Sequence, residues 1–180
     1  TGVGKTWLAA LDVQRAQAGR ILFCAHREEL LAQAERTFAD ALPRLPRARY
    51  ADLRAAPEAG VLFATVQSLS RPENLARVHP DAFDYLVVDE FHHAWAPSYR
   101  RIIEHVAPGF LLGLTATPER SDGGDLLSLC GDNLVYRCDM FRAIELGLLS
   151  PFRYFGVPDP VSYQNIPWRN HRFDEDALTD

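Results

Sequence analysis

Lysine is nearly missing from this chain. Of the 19 basic residues among its 180, all but Lys5 are arginine. With the alanine-rich stretches, that bias points to a GC-rich coding sequence of the bacterial kind, and it singles out Lys5. Cysteine is scarce too: Cys24, Cys130 and Cys138 form no C-x-x-C pair and are odd in number. This speaks against a disulfide framework and for small core residues in a reducing cytosol. Long apolar runs are lacking; the longest, such as Phe110 to Leu112, are far too short to span a bilayer. No charged-then-apolar signal opens the chain, so a cytoplasmic protein with no membrane partner is expected. An excess of positive charge is also absent. The formal net charge is −5, so any nucleic-acid contact must come from local groups. What is present is ordinary globular composition, 47% hydrophobic and 24% charged, enough for one domain or one domain plus a fragment.

Lys5 lies in Thr1-Gly2-Val3-Gly4-Lys5-Thr6, the second half of the phosphate-binding pattern G-x-x-x-x-G-K-[ST]. Small residues there let backbone N–H groups approach phosphates at the positive end of the next helix. A lysine offers a compact charge to the β- and γ-phosphates, and the Thr6 hydroxyl can ligate magnesium. The broad guanidinium fork would not fit the same nest, which explains a lysine in an arginine-using chain. The bland alternative is a glycine turn that caps a helix.

Tyr85-Leu86-Val87-Val88-Asp89-Glu90-Phe91-His92-His93 is the second notable stretch. The unbroken apolar run suits a strand buried on both faces of a parallel sheet. Asp89 and Glu90 then fall at its carboxyl end, where open α/β sheets bind ligands. Such a pair can divide labour: one carboxylate holds magnesium, the other orients or deprotonates a water. An acidic start to the next helix is the competing reading.

Around these motifs strands and helices alternate, which predicts an α/β fold with an open, mainly parallel sheet sandwiched by helices. Helices are expected over Trp7–Ala18 (Leu8, Leu11 and Val13 on one face, Gly19 as stop), Arg27–Leu42, Pro97–Val106 and Met140–Leu146, with a short one over Asp125–Leu129. Buried strands are expected at Ile21–Ala25, Val61–Val66 and from Phe110 into Thr115-Ala116-Thr117. Further strands are expected at Asn133–Cys138 and Phe152–Val157. Residues 43 to 60 read as a surface connection with one short strand. His26 and Arg27 sit at a strand-to-helix junction, and Thr65 and Gln67 at another. These residue types suit backbone phosphates, and equally suit a solvated helix start and helix capping. From Pro158 the composition is that of a linker, and Asp174–Leu178 could start another helix.

TGVGKT, VVDEFHH and LTATPER resemble motifs I, II and III of superfamily 2 DExD/H helicases. FCAHREELLAQA and VLFATVQSLS are similar to motifs Ia and Ib. The wording is closest to the bacterial group related to type III restriction enzyme helicase subunits. The resemblance covers residues 1 to 157 and implies an N-terminal RecA-like P-loop NTPase domain that lacks its first, P-loop strand. Residues 158–180 would lead towards an absent second RecA-like domain. It implies ATP and Mg2+ as cofactors and DNA as partner. Residues Thr1 to Thr6 would bind the ATP phosphates, with Thr6 and Asp89 serving the metal. Glu90 would be the catalytic base, and His92 would link the nucleotide site to Thr115 and Thr117. His26, Arg27, Thr65 and Gln67 would lie along a bound strand. Three functions remain open: an ATP-driven DNA helicase or translocase, expected inactive as this fragment alone; an ATP-gated nucleic-acid-binding module; and the motor of a restriction or defence nuclease.

Overall fold

The computed structural model describes residues 3–50, 60–117 and 126–156, and the backbone of 168–169 and 172–173. Two compact units divide the chain, Thr1–Leu149 and Ser150–Asp180.

The first unit is built on five parallel strands: β1 (Arg20–Ala25), β2 (Arg47–Arg49), β3 (Gly60–Thr65), β4 (Tyr85–Asp89) and β5 (Phe110–Leu114). Their order across the sheet is β2-β3-β1-β4-β5, and every pairing is parallel. β1, β3 and β4 are central and apolar because both their faces are covered. The two-residue period divides their side chains between two cores. Ile21, Phe23, Val61, Phe63, Tyr85 and Val87 face α1 (Lys5–Arg15) and α2 (Glu28–Ala41). Leu22, Cys24, Leu62, Ala64, Leu86 and Val88 face the other way. There they meet the short α3 (Val66–Leu69), the end of α4 (Pro72–Leu75) and α5 (Pro97–Val106).

Several expectations are corrected. The helix expected over Trp7–Ala18 starts at Lys5 and ends at Arg15, and Gly19 is not its stop. Gln17 takes the left-handed conformation (φ 52°) instead. The Ala18 N–H donates to the Val13 carbonyl and the Gln17 N–H to the Gln14 carbonyl, a Schellman closure. Its inward face is Ala9, Ala10 and Val13, small enough for close packing against α2, while Leu8 and Leu11 point outward. The strand beginning at Phe110 is not buried on both faces. Among the described residues β5 is an edge strand, with Phe110 exposed and only Leu114 fully buried. Asn133–Cys138 forms no strand, and neither does 152–156. Both stretches have strand composition, but composition alone does not make a strand, which needs a hydrogen-bonded neighbour.

Met140–Glu145 forms α6, with Asp139 accepting from the Arg142 N–H at 2.8 Å as its cap. The helix expected near Leu129 is a 3-10 turn, Leu127–Cys130. Its expected start at Asp125, the turn at 121–124, residues 118–120 and the helix at 174–178 lie outside the described residues. In the second unit, β6 (Trp168–Arg169) and β7 (Arg172–Phe173) pair antiparallel within the stretch of linker composition.

Candidate functional site

The candidate residues that follow described strands fall on one rim of the sheet. A parallel sheet presents every strand's carboxyl end on the same side, so residues far apart in sequence line up there. Thr65 and Gln67 follow β3, His26 and Arg27 follow β1, Asp89, Glu90 and His92 end β4, and Thr115 and Thr117 follow β5. Thr1 and Gly2 lie outside the described residues.

α1 opens directly after Gly4, whose left-handed backbone (φ 82°) turns the chain into the helix. No side chain caps the first turn, leaving its N–H groups for another acceptor. Val3, Lys5 and Thr6 are partly buried there. α1 is tied to the sheet by the buried Tyr85, whose hydroxyl donates to the Asp12 carboxylate. Burial, and then Asp12, push the Tyr85 pKa up, so the phenol keeps its proton.

Asp89 is 9% exposed, and its Oδ1 accepts from the Glu90 N–H at 2.9 Å. Burial raises its pKa, opposed by that N–H; Glu90's charge raises it further, and Lys5 and His92 lower it. Lys5 is thus close enough to Asp89 to act on its charge, which joins the phosphate-loop sequence to the Asp-Glu pair. Glu90 itself is left-handed (φ 51°, ψ 49°). That is uncommon for a residue with a Cβ, and such backbone concentrates at functional sites. The following 3-10 turn, Phe91–His93, brings His92 back over Glu90. His92 Nδ1 lies 3.3 Å from Glu90 Oε2 and 3.2 Å from Thr115 Oγ1. Thr115 Oγ1 in turn accepts from the Thr117 N–H at 3.1 Å. One imidazole therefore spans the ends of β4 and β5; Thr117 joins through its backbone.

Beside this bridge lies an open cleft of about 460 Å³, with His26 and Arg27 on one side and Glu90, His92 and His93 on the other. Arg27 Nε donates to His26 Nε2 at 3.3 Å. His93 stands edge-on to His26, their ring centroids 5.6 Å apart. Two buried polar atoms here, His26 Nδ1 and the Tyr99 hydroxyl, have no hydrogen-bond partner among the described residues. The composition and periodicity of α5 mark Tyr99 only as core. Burial raises its pKa, with smaller contributions from Cys24, Asp89 and Glu90. Cys24 is fully buried at the end of β1, and burial pushes its thiol up to about 12, which makes it inert packing. Further along the rim, Thr65 Oγ1 accepts from the Ser68 N–H at 3.3 Å and caps α3, while Gln67 is exposed.

Sequence reasoning alone passed over Asp12, Tyr85, Phe91 and His93. Tyr85, Phe91 and His93 stand in the same stretch as the acidic pair, whereas nothing in the sequence marks Asp12.

An all-parallel open sheet between two helical layers, with a phosphate-loop sequence and an Asp-Glu pair on its carboxyl rim, is a RecA-like domain of superfamily 2 helicase type. Residues 1–120 match the family described as "Type III restriction enzyme, res subunit", and the chain belongs to that family. It is 30% identical over 184 residues to the type I restriction enzyme EcoAI endonuclease subunit of Escherichia coli, across 94% of this chain and 22% of that protein. It is 34% identical over 150 residues to the putative mitochondrial ATP-dependent helicase irc3 of Schizosaccharomyces pombe, across 76% of this chain and 24% of that one. The chain thus spans about a quarter or less of these relatives' length. In fold it resembles a nuclease-deletion mutant of the type ISP restriction-modification enzyme LlaGI, solved with a DNA substrate mimic. That likeness has a TM-score of 0.59 and 17% identity, and covers 82% of this chain and 16% of the other.

Proposed function

We propose that this chain is the N-terminal motor domain of a DNA helicase or translocase, binding ATP with Mg2+ and hydrolysing it. The observation that carries this reading is the bridge from Glu90 through His92 to Thr115, beside an Asp89 that feels the charge of Lys5. A group that only binds nucleotide needs no second carboxylate linked to the neighbouring strand.

The metal fits the donor set. Asp89 is a buried carboxylate with one oxygen taken by the Glu90 N–H, and the positive charge acting on it comes from Lys5 and His92. A hard cation prefers oxygen ligands of this kind, and the Thr6 hydroxyl is the second candidate. When bound, magnesium would neutralise charge on the phosphates. Residues Thr1 to Gly4 would cradle the phosphates with backbone N–H groups, and Lys5 would add its ammonium. Glu90 would orient the attacking water and take its proton, with His92 holding the carboxylate in place.

His26, Arg27, Thr65 and Gln67 would lie along a bound strand. DNA is supported by the family and by the DNA substrate mimic in the LlaGI structure. A second RecA-like domain would complete the site, with residues 1–157 as the first domain and 158–180 as the connection. The likeness to the EcoAI subunit supports a restriction or defence complex as the setting. Three cysteines without a disulfide suit the cytoplasm.

The test is Glu90→Gln in the intact protein. ATP binding should stay nearly unchanged, while DNA-stimulated turnover falls by roughly 100-fold or more, the usual scale for losing a general base. Near-normal turnover would remove Glu90 from the chemistry.

A further inference from the structure

Gly113 stands in the interior of β5, directly opposite Val88 of β4. A glycine in a strand commonly marks close approach by another group. Here the group is the Phe91 ring. A Cβ placed on Gly113 would lie 2.5 Å from Phe91 Cγ and 2.7–2.8 Å from both Cδ atoms. Phe91 is only 4% exposed, and Ala94 behind it is fully buried. The ring fills the space that a side chain at 113 would occupy.

The consequence runs along both chains. Phe91 directly follows the left-handed Glu90 and precedes His92. Thr115 lies two residues beyond Gly113, on the same side of an extended chain. Seating Phe91 on Gly113 therefore sets His92 against Thr115. We infer that Gly113 is a positioning residue: by leaving room for the Phe91 ring, it holds the Glu90–His92–Thr115 bridge in register. Its functional consequence rests on the motor reading above; its structural part does not.

A methyl group at 113 needs about 1 Å of relief to reach ordinary carbon–carbon contact. If Phe91 recoils, it carries Glu90 and His92 with it. If β5 recoils, it carries Thr115 away, since among the described residues β4 is the one strand paired with β5. Either movement opens the bridge. Leu111, also partly packed against this core, has no comparable role because it lies a full pleat away from the turn.

The experiment is a double-mutant cycle in the intact protein with Gly113→Ala, Phe91→Ala and the pair. Each variant is followed by the ring-nitrogen NMR shifts of His92, by DNA-stimulated ATPase and by thermal unfolding. Gly113→Ala should move the His92 Nδ1 resonance. It should lower kcat roughly 10- to 100-fold, the scale of about 1 Å of misplacement, with little change in KM for ATP. In the Phe91→Ala background the same substitution should cost nothing further, because the clash is gone. That comparison decides the matter even if Gly113→Ala alone folds poorly. An unmoved His92 resonance in Gly113→Ala, or equal losses in the two backgrounds, overturns the inference. If the unmodified protein shows no DNA-stimulated turnover, the motor reading fails, while the His92 shift still tests Gly113.

Discussion

Asp89 is held at a cost to the fold. Burial raises its pKa above the ordinary carboxylate value, only partly countered by the Glu90 N–H, Lys5 and His92. Such a group keeps its proton longer in the folded state than in the unfolded one. Its favourable contribution is complete below the unfolded pKa, about 3.9, and is lost as the pH rises through the folded pKa. At neutral pH the ionised carboxylate therefore opposes folding until a cation joins it. Asp89→Asn keeps an acceptor for the Glu90 N–H and removes the charge. It should raise Tm at pH 7 in the absence of nucleotide, and the gain should shrink as the pH is lowered through the Asp89 pKa. On the proposed motor reading, Mg-ATP should stabilise the unmodified protein and leave this variant unstabilised. Thermal scans across pH, with and without Mg-ATP, test both halves; a lower Tm at pH 7 would contradict the argument. The residue types proposed for this site were legible in the sequence: a lone lysine in a glycine turn and two carboxylates closing an apolar run. The left-handed backbone of Glu90 was not, since nothing local demands it.

At the scale of elements, α1 matters most, because it carries Lys5 and Thr6 at its first turn. Its own sequence suggests an inward face that is right at Val13 and wrong at Leu8 and Leu11. Leu8 and Leu11 look like core, yet Ala9, Ala10 and Val13 are buried. The orientation is decided by what α1 must meet: α2 packs close against it, which favours small side chains, and Asp12 reaches the Tyr85 hydroxyl. Tyr85→Phe deletes that bond and leaves a charged acceptor in a half-buried place. Hydrogen bonds to charged groups contribute about 1.5–3 kcal/mol, and partial rehydration of Asp12 puts the loss near the lower figure. A Tm decrease of roughly 3–6 °C follows for a domain of this size, with weaker ATP binding because the phosphate loop is less well anchored. Urea melts of Tyr85→Phe check it, and Asp12→Asn, which keeps an acceptor, should be milder. By contrast α5 matched expectation from Pro97 to Val106. A proline start and buried Tyr99, Ile102 and Val106 at helical spacing determine that helix locally.

At the largest scale, apolar side chains lie exposed on several of the described stretches. Trp7, Leu8 and Leu11 on α1 are 46%, 44% and 53% exposed. Leu134, Val135, Tyr136 and Phe141 are exposed as well. Surfaces of this kind favour self-association. The 180-residue chain should therefore associate at micromolar concentration and bind hydrophobic dyes. Leu8→Glu with Leu11→Lys should reduce both, and should shift stability by no more than about 0.5 kcal/mol, as surface substitutions usually do. Analytical ultracentrifugation beside thermal unfolding measures the two effects. A loss of stability well beyond that would mean that these side chains are core after all.

By itself the sequence determined the elements whose neighbours surround them on every side. β1, β3 and β4 are continuous apolar runs because both faces are covered, and their limits could be read within a residue or so. It also determined which residue types crowd the carboxyl rim, since a parallel sheet must bring those ends together. The tertiary structure alone decided what depends on a neighbour distant in sequence. The segments at 133–138 and 152–156 have strand composition and form no strand, since composition does not supply the second side that a ladder needs. Gly113 and Phe91 lie 22 positions apart, so neither residue announces the contact that only the packing of β4 beside β5 creates. His92 reaches Thr115 for the same reason: hydrogen bonds act over about 3 Å, and only the folded sheet brings the two side chains that close.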